Sequence, residues 1–517
     1  MMGVIQTVMP PISYVNIRQG TASDSRFSVG NTLPLTAVPF GMNHFCPQTM
    51  GGNERWFYHP AHRQCEGVRL THQPSPWMKD WGHFVMMPQS GKPHVTENCR
   101  ASGFREIKLS PACLEIEFRR YHAVMKLAPT TRCAVMEMTW DTDQTPYFCL
   151  LPFDFDTELH LDAEKGLLTG RTNARGDGTR NDFQIYFELR FDRPVDAEKT
   201  MLLHRDGTLQ SGMTGSGVGL GIAIAFRLKR GATMTAQLGT SFLSPDYIPL
   251  SINRELGGQS YWEIRAKAEK NWNALLSRIE IAGDENRKRT FYSCLYRCFL
   301  FPRIFYELDE EGSATHYCTR TGETLPGVMY TDNGFWDTYR TTFSLFSLLI
   351  PEREREMLQG FLNFYREEGW LPKWVSPGER GIMPGTLIDA VLADAAVKGL
   401  LTREQLDQAL EGMLKNANVP SGDSLHGRVG VADYLRLGYV PSDQYRESVN
   451  NSLDGYYCDS CIAQVAELLG KGDVAQEYRQ VYLYWGGWQH CNAAIMTEDM
   501  TGFVPLSNGD WCKAITP

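Results

Sequence analysis

Up to about residue 255 the chain alternates apolar and polar side chains in short runs: HFVMMPQ, CLEIEFRRYHAVMKLAP, CAVMEMTW, PYFCLLPF, FQIYFELRF, GLGIAIAFRLKRG and TMTAQLGTSFL, separated by Gly, Pro, Asn and Asp. A period of two sends successive side chains to opposite faces of a strand, so a series of such runs predicts an antiparallel β-sandwich. After Pro249 the period lengthens. GQSYWEIRAKAEKNWNALLSRIEI carries apolar residues at helical spacing among strong helix formers, which predicts a linking helix from about 258 to 280. Helical patterns then follow one another: ENRKRTFYSCLYRCFLFPRIF, TTFSLFSLLI through REREMLQGFLNFYREEG, TLIDAVLADAAVKGL, REQLDQALEGMLKNA, YCDSCIAQVAELLG and DVAQEYRQVYLYW. Loops as short as Leu401–Arg403 and Lys471–Gly472 require consecutive helices to run antiparallel, and α-hairpins stacked in this way commonly close into a toroid. The expected organisation is a β-sandwich domain over 1–255, a linking helix over 256–284 and an α-hairpin domain over 285–517.

The chain has 517 residues, 42% of them hydrophobic and 21% charged, enough to bury a sizeable core in two or more domains and incompatible with a disordered chain. A net charge of -9 and the lack of any Lys/Arg cluster argue against a nucleic-acid partner, which requires a basic face to neutralise phosphates. Thirteen cysteines, an odd number without scaffold spacing, point to buried thiols in a reducing compartment. The opening MMGVIQTVMPPISYV lacks a basic stretch and a sustained apolar core before Pro10, and no apolar run approaches the ~20 residues that span a bilayer. The expectation is a cytoplasmic protein without a membrane partner.

The densest chemistry lies in YTDNGFWDTYRTT, Tyr330–Thr342. Phe335, Trp336 and Tyr339 stand among Asp332, Asp337 and Arg340, just ahead of the helical run TTFSLFSLLI. Aromatic faces beside fixed charges suit a sugar pocket: a ring stacks on the apolar face of a pyranose while charged hydrogen bonds fix its hydroxyls. A helix start with a capping Asp and a buried Trp would use the same residues. Elsewhere, GLLTGRTNARGDGTR is turn chemistry without the Gly-Lys-Ser/Thr ending of a phosphate loop.

Five stretches carry a resemblance to a known family: GNTLPLTAVPFGMNHFCPQT from Gly30, GVRLTHQPSPW from Gly67, the central GFWDTYRTTFSL, MPGTLIDAVLADAAVKG from Met383, and SVNNSLDGYYCDSCIAQVAELLGK from Ser448. In this order they resemble glycoside hydrolase family 92, the calcium-dependent exo-acting α-mannosidases. The resemblance implies a β-sandwich packed on an (α/α)6 barrel, with a terminal mannose of a glycan bound at their junction. It implies that Trp336 stacks on the sugar, that Asp337 binds hydroxyls, and that Arg340 orients Asp337 or reaches substrate. From the sandwich, Trp77 is the candidate contributor, with Trp56 and His72 behind it; an aromatic in WMKDWGHF could equally cover a domain interface. The implied mechanism is single-step inversion by a carboxylic acid and a carboxylate about 6.5–9.5 Å apart, with Ca2+ on two mannose hydroxyls.

The chain also departs from the family. The general-acid Glu motif (Thr-Glu-Gly-Asn-like) and the base motif (Asp-Asp-x-Gly-Gln-like) do not occur, and both belong downstream of the segment that MTEDMTGFVPLSNGDW resembles. About seven or eight helices follow the linker, fewer than the twelve of a closed (α/α)6 barrel. The expectation is therefore an incomplete barrel and a truncated, inactive mannosidase. An interrupted reading frame is favoured over a separate C-terminal polypeptide that supplies the missing hairpins, or a fragment kept as a non-catalytic carbohydrate binder. A sugar phosphorylase shares the architecture, but the five motifs do not match that pattern.

Other constellations are weaker. Cys458 and Cys461 form a lone Cys-x-x-Cys in an apolar-periodic helix and read as core thiols. His490–Cys491 gives no nucleophile geometry. Asp389 and Asp394 are five apart, on different faces of one helix, and Asp433 and Asp454 have no assigned place.

Overall fold

The computed structural model describes residues 9–49, 55–151, 153–483, 503–505 and 511–513. The chain divides into two compact units, Met1–Pro326 and Gly327–Pro517.

The alternating runs of the first unit form two antiparallel sheets. A seven-stranded sheet orders its strands as His44–Gln48, Gly67–Thr71, Phe84–Ser90, Pro146–Leu151, Leu220–Ala225, Met201–His204 and Leu209–Ser211. A ten-stranded sheet runs Thr214–Val218, Asp156–Asp162, Leu167–Thr172, Ile185–Phe191, Thr233–Ser241, Cys133–Trp140, Ala123–Pro129, Cys113–Phe118, Ser102–Ser110 and Gln64–Cys65. Rings from the two sheets interlock: Phe84 meets Phe187 at 5.1 Å and Phe148 meets Phe191 at 5.2 Å. The Trp140 indole N–H crosses between sheets to the Gln89 carbonyl at 2.8 Å. Strands such as Asp156–Asp162 alternate buried with exposed positions, as a sheet with one wet face should, whereas Phe84–Ser90 is buried at every position. This is the sandwich that the period-two pattern predicts.

The expected linking helix is Tyr261–Leu276, and it belongs to this first unit. Ser260 accepts from the Glu263 backbone N–H while Glu263 reaches back to the Ser260 N–H, a capping box that sets where the helix begins. With the preceding helix Tyr247–Glu255 it packs on the ten-stranded sheet, where Ile248, Ile252, Tyr261 and Ile264 meet Cys113 and Val135. The next helix, Glu285–Cys298, is shorter than the helical reading through Phe305. The helix ends at Cys298, and Pro302, which has no N–H with which to continue a helix, leads into the short strand Arg303–Ile304. A three-stranded sheet, Tyr306–Leu308, Ala314–Tyr317 and Thr324–Pro326, completes the unit.

The second unit is helical. Among the described residues its helices are Phe335–Thr338, Thr342–Leu349, Pro351–Glu368, Ile388–Val397, Arg403–Asn418, Val431–Leu437, Ser448–Leu468 and Gly472–Leu483, and they form no closed barrel. Ser448–Leu468, the longest, packs on Ile388–Val397, Arg403–Asn418 and Gly472–Leu483. Its centre is polar as well as apolar: Arg428, whose side chain is 6% exposed, donates to the buried Asp459 at 2.6 Å and stands 3.8 Å from the buried Asp389, while the buried Tyr434 donates to Asp459 at 2.7 Å. Among the described residues no helix is long and apolar enough to cross a membrane.

Candidate functional site

The acid-aromatic cluster lies in the second unit, on the single helical turn Phe335–Thr338 and the residues after it. Phe335 points inward, stacked on Phe343 at 5.9 Å and edge-on to Phe361 at 4.9 Å, and so anchors the turn to the helices behind it. The next two side chains face outward: Trp336 is 41% exposed, and Asp337 reaches solvent beside it. An exposed ring directly next to an exposed carboxylate is the pair that the sequence singled out.

Asp337 is not left to rotate. The Trp374 indole N–H donates to its Oδ2 at 3.0 Å. Partial burial pushes the Asp337 carboxyl above its usual range, and this indole bond opposes the rise. Trp374 is itself held from behind. Gly334 and Trp374 are partners in a short antiparallel pair, and the indole lies so closely over Gly334 that a Cβ there would come within 1.9 Å of Nε1. The buried Glu379 carboxylate accepts the backbone N–H of Lys373 at 2.7 Å, Trp374 at 3.1 Å, Arg380 at 3.0 Å and Gly381 at 2.9 Å, tying the loop after Trp374 into one geometry. Neither Trp374 nor Glu379 carries a sequence signal of its own. Gly334 needs no positive φ and is there for space, a reason that shows only in the structure.

Arg340 lays its guanidinium over the Tyr339 ring, 4.9 Å from its centroid, and the bond that orients Asp337 comes from Trp374. The Arg340 charge acts instead on Asp454, whose carboxyl burial pushes up to about 6 while Asn450 and Arg340 pull it down. Tyr339 meets Tyr457 at 5.8 Å, so the half-exposed Tyr457 and the buried Asp454, both on Ser448–Leu468, lie beside Tyr339 and Arg340. Asp332 turns inward and accepts from Ser376 Oγ at 2.5 Å.

The other three sequence candidates lie in the first unit. Trp77 is 47% exposed and stands edge-on to the mostly buried Trp56, with 5.1 Å between ring centroids. The Trp77 loop is fixed by the buried Asp80, which takes hydrogen bonds from Arg69 Nε at 2.9 Å, Thr71 Oγ1 at 2.8 Å and the His72 backbone N–H at 2.8 Å. His72 is fully buried, with Nδ1 at 2.9 Å from the Trp81 carbonyl and Nε2 at 3.1 Å from Asn43 Oδ1. Both of its nitrogens are thus engaged by protein groups.

Of the remaining constellations, Cys458 is buried with its Sγ 3.6 Å from the Thr386 carbonyl, and Cys461 is buried beside it on the same helix. Asp389 is buried and accepts from Thr386 Oγ1 at 3.0 Å, whereas Asp394 pairs with Lys398 at 2.6 Å. Asp433 pairs with Arg436 at 2.5 Å. His490–Cys491 lies outside the described residues, as does most of MTEDMTGFVPLSNGDW.

The N-terminal domain model of glycosyl hydrolase family 92 matches residues 14–241, and the family's catalytic domain model matches residues 250–514. The chain belongs to glycosyl hydrolase family 92. A solved structure of a family GH92 inverting mannosidase from Bacteroides thetaiotaomicron VPI-5482 is 34% identical with a TM-score of 0.92, over 99% of this family 92 chain and 68% of that one. A second family GH92 α-mannosidase from Bacteroides thetaiotaomicron, solved with mannoimidazole, shares the fold at 24% identity and a TM-score of 0.84, over 98% of this chain and 67% of the other. An uncharacterized secreted glycosidase of Arthroderma benhamiae is 27% identical over 303 residues, 54% of this chain; the chain spans about a third of that relative, 34% of its length. Calcium needs several oxygen ligands about one site. Among the described residues no group of three or more His, Cys, Asp or Glu side chains is placed to hold a metal ion.

Proposed function

We propose that this chain is a glycoside hydrolase of the α-mannosidase type that acts on terminal α-linked mannose of glycans with inversion at the anomeric carbon. The observation that carries the reading is the 34% identity, maintained across 99% of the chain, to a protein described as an inverting mannosidase. The exposed Trp336 beside the fixed carboxylate of Asp337 supports it, since this is the pairing that a pyranose with one apolar face and a hydroxyl rim requires. In this reading Trp336 stacks on the sugar, Asp337 accepts from its hydroxyls, and the Arg340 and Tyr457 side chains border the same surface. Trp77, edge-on to Trp56, is proposed as a sugar-stacking ring on the first unit, and His72 as a support of the Trp77 loop. Inversion calls for a general acid and a general base, and the Glu and Asp motifs that the resemblance assigns to those roles do not occur in this sequence. Calcium assistance stays part of the proposal as the resemblance implies it, and no step is routed through the ion. A cytoplasmic location stays part of the proposal, motivated by the odd number of cysteines.

The test is hydrolysis of 4-nitrophenyl α-mannoside by the purified chain, with calcium and with a chelator, beside calorimetric titration with mannoimidazole. Turnover with inversion supports the full reading, and its loss in chelator supports the calcium requirement. Binding without turnover reduces the function to carbohydrate recognition. A folded protein that does neither overturns the proposal. Trp336→Ala and Asp337→Ala are each expected to abolish binding without unfolding the chain; binding unchanged in both removes this surface from the site.

A further inference from the structure

Asp337 is an exposed carboxylate of the candidate surface that a buried side chain holds by a single bond. Everything around that bond is built to keep the donor in place. Trp374 is only 7% exposed, its indole seated over Gly334 where no side chain could intervene. Its peptide is paired with Gly334 across two short strands, and its backbone N–H is taken by Glu379, which also collects three neighbouring N–H groups. The chain thus spends a buried carboxylate and a side-chain-free position on fixing one indole N–H against one oxygen of Asp337.

We propose that Trp374 is a positioning residue for mannoside recognition: its indole N–H occupies Asp337 Oδ2, fixes the carboxylate plane and leaves Oδ1 directed to the hydroxyls of the bound sugar. This rests on the reading of Asp337 as the sugar-binding carboxylate. Trp374 does not touch the ligand in this account; it acts through Asp337, with Gly334 providing the space and Glu379 fixing the loop. A carboxylate free to rotate would have to be ordered each time a ligand bound, whereas one already held loses little freedom on binding. The N–H also favours the ionised form, which is the form that accepts from two hydroxyls.

The experiment compares the parent, Trp374→Phe, Asp337→Ala and a protein in which the sulfur isostere β-(3-benzothienyl)alanine replaces Trp374, keeping the shape of the ring while removing the N–H. Mannoimidazole affinity is measured by calorimetry from pH 4 to 8. Both Trp374 replacements are expected to weaken binding about tenfold at neutral pH, the scale of a hydrogen bond to a charged group. They are also expected to move the acidic limb of the binding profile to higher pH, because Asp337 loses the bond that lowered its pKa. A packing defect would weaken binding without moving that limb. If Asp337→Ala abolishes binding while the isostere binds like the parent with a superimposable profile, the positioning role is overturned and the role of Asp337 stands. If Asp337→Ala binds like the parent, both are overturned. Should Trp374→Phe not fold, the isostere alone decides.

Discussion

Glu354 offers a sharp check on how charge is buried in the second unit. It lies on the helix Pro351–Glu368 with 0% of its surface exposed, and neither carboxyl oxygen has a hydrogen-bond partner among the described residues. Burial pushes its pKa from 4.5 up to about 8; the nearby Lys398 and Arg355 charges pull it down and Asp394 pushes it further up. Between these two values the unfolded chain carries a carboxylate where the folded chain carries an acid, so folding takes up a proton and stability falls as pH rises. The stabilising difference is fully present below about pH 4.5 and exhausted above about pH 8. Each unit is equivalent to about 1.4 kcal/mol, which puts a ceiling of about 4 kcal/mol on the loss between pH 5 and pH 8. Movement of Lys398 and entry of water lower this to about 2–4 kcal/mol. Glu354→Gln is neutral at every pH, so its stability relative to the parent should grow by that amount over the interval and then stay constant. For a unit of this size the gap in calorimetric midpoints should widen by roughly 4–16 °C from pH 5 to pH 8. A constant offset between variant and parent over that range would refute the reasoning, whatever its sign, because amide packing alone does not depend on pH.

Two further substitutions test the architecture. Arg428→Met leaves Asp459, and behind it Asp389, buried without their cation, and should cost about 3–5 kcal/mol in urea unfolding; a loss below 1 kcal/mol would mean that the carboxyls neutralise without penalty. Ser260→Ala removes the side chain that accepts the Glu263 N–H at the start of Tyr261–Leu276 and should cost about 1 kcal/mol, read as a shift of the urea midpoint with unchanged slope; no shift would place the start of that helix under the control of sheet packing.

Much of the fold was legible because local pattern and tertiary packing agree. The seven runs of alternating residues each contain strand, and the helix expected over about 258–280 is found as Tyr261–Leu276. Gly369, at φ 80°, ends Pro351–Glu368 where the sequence reads REEG. Legibility failed after Cys298, where apolar spacing continued but Pro302 and the following short strands took over. Periodicity cannot distinguish a helix that goes on from one whose apolar residues pack on a sheet. The buried pairing of Arg428 with Asp389 and Asp459 was equally invisible: partners 39 and 31 residues apart meet only through the packing of helices, and each alone reads as a surface charge.

The candidate site shows the same division within a few residues. Trp336 and Asp337 are adjacent in the chain, so their chemistry could be read directly. Trp374 stands 37 residues from Asp337, and nothing in LPKWV distinguishes it from a core aromatic. The trace that it left in the sequence is Gly334. At φ -104° and ψ 113° this residue adopts an ordinary extended conformation open to any side chain, so backbone geometry does not call for a glycine. What excludes a Cβ is the indole lying on the backbone. The glycine two residues before the exposed aromatic-acid pair is therefore there for space, and the group that fills that space is a ring crossing the chain. The ring that crosses there is the one that bonds the acid.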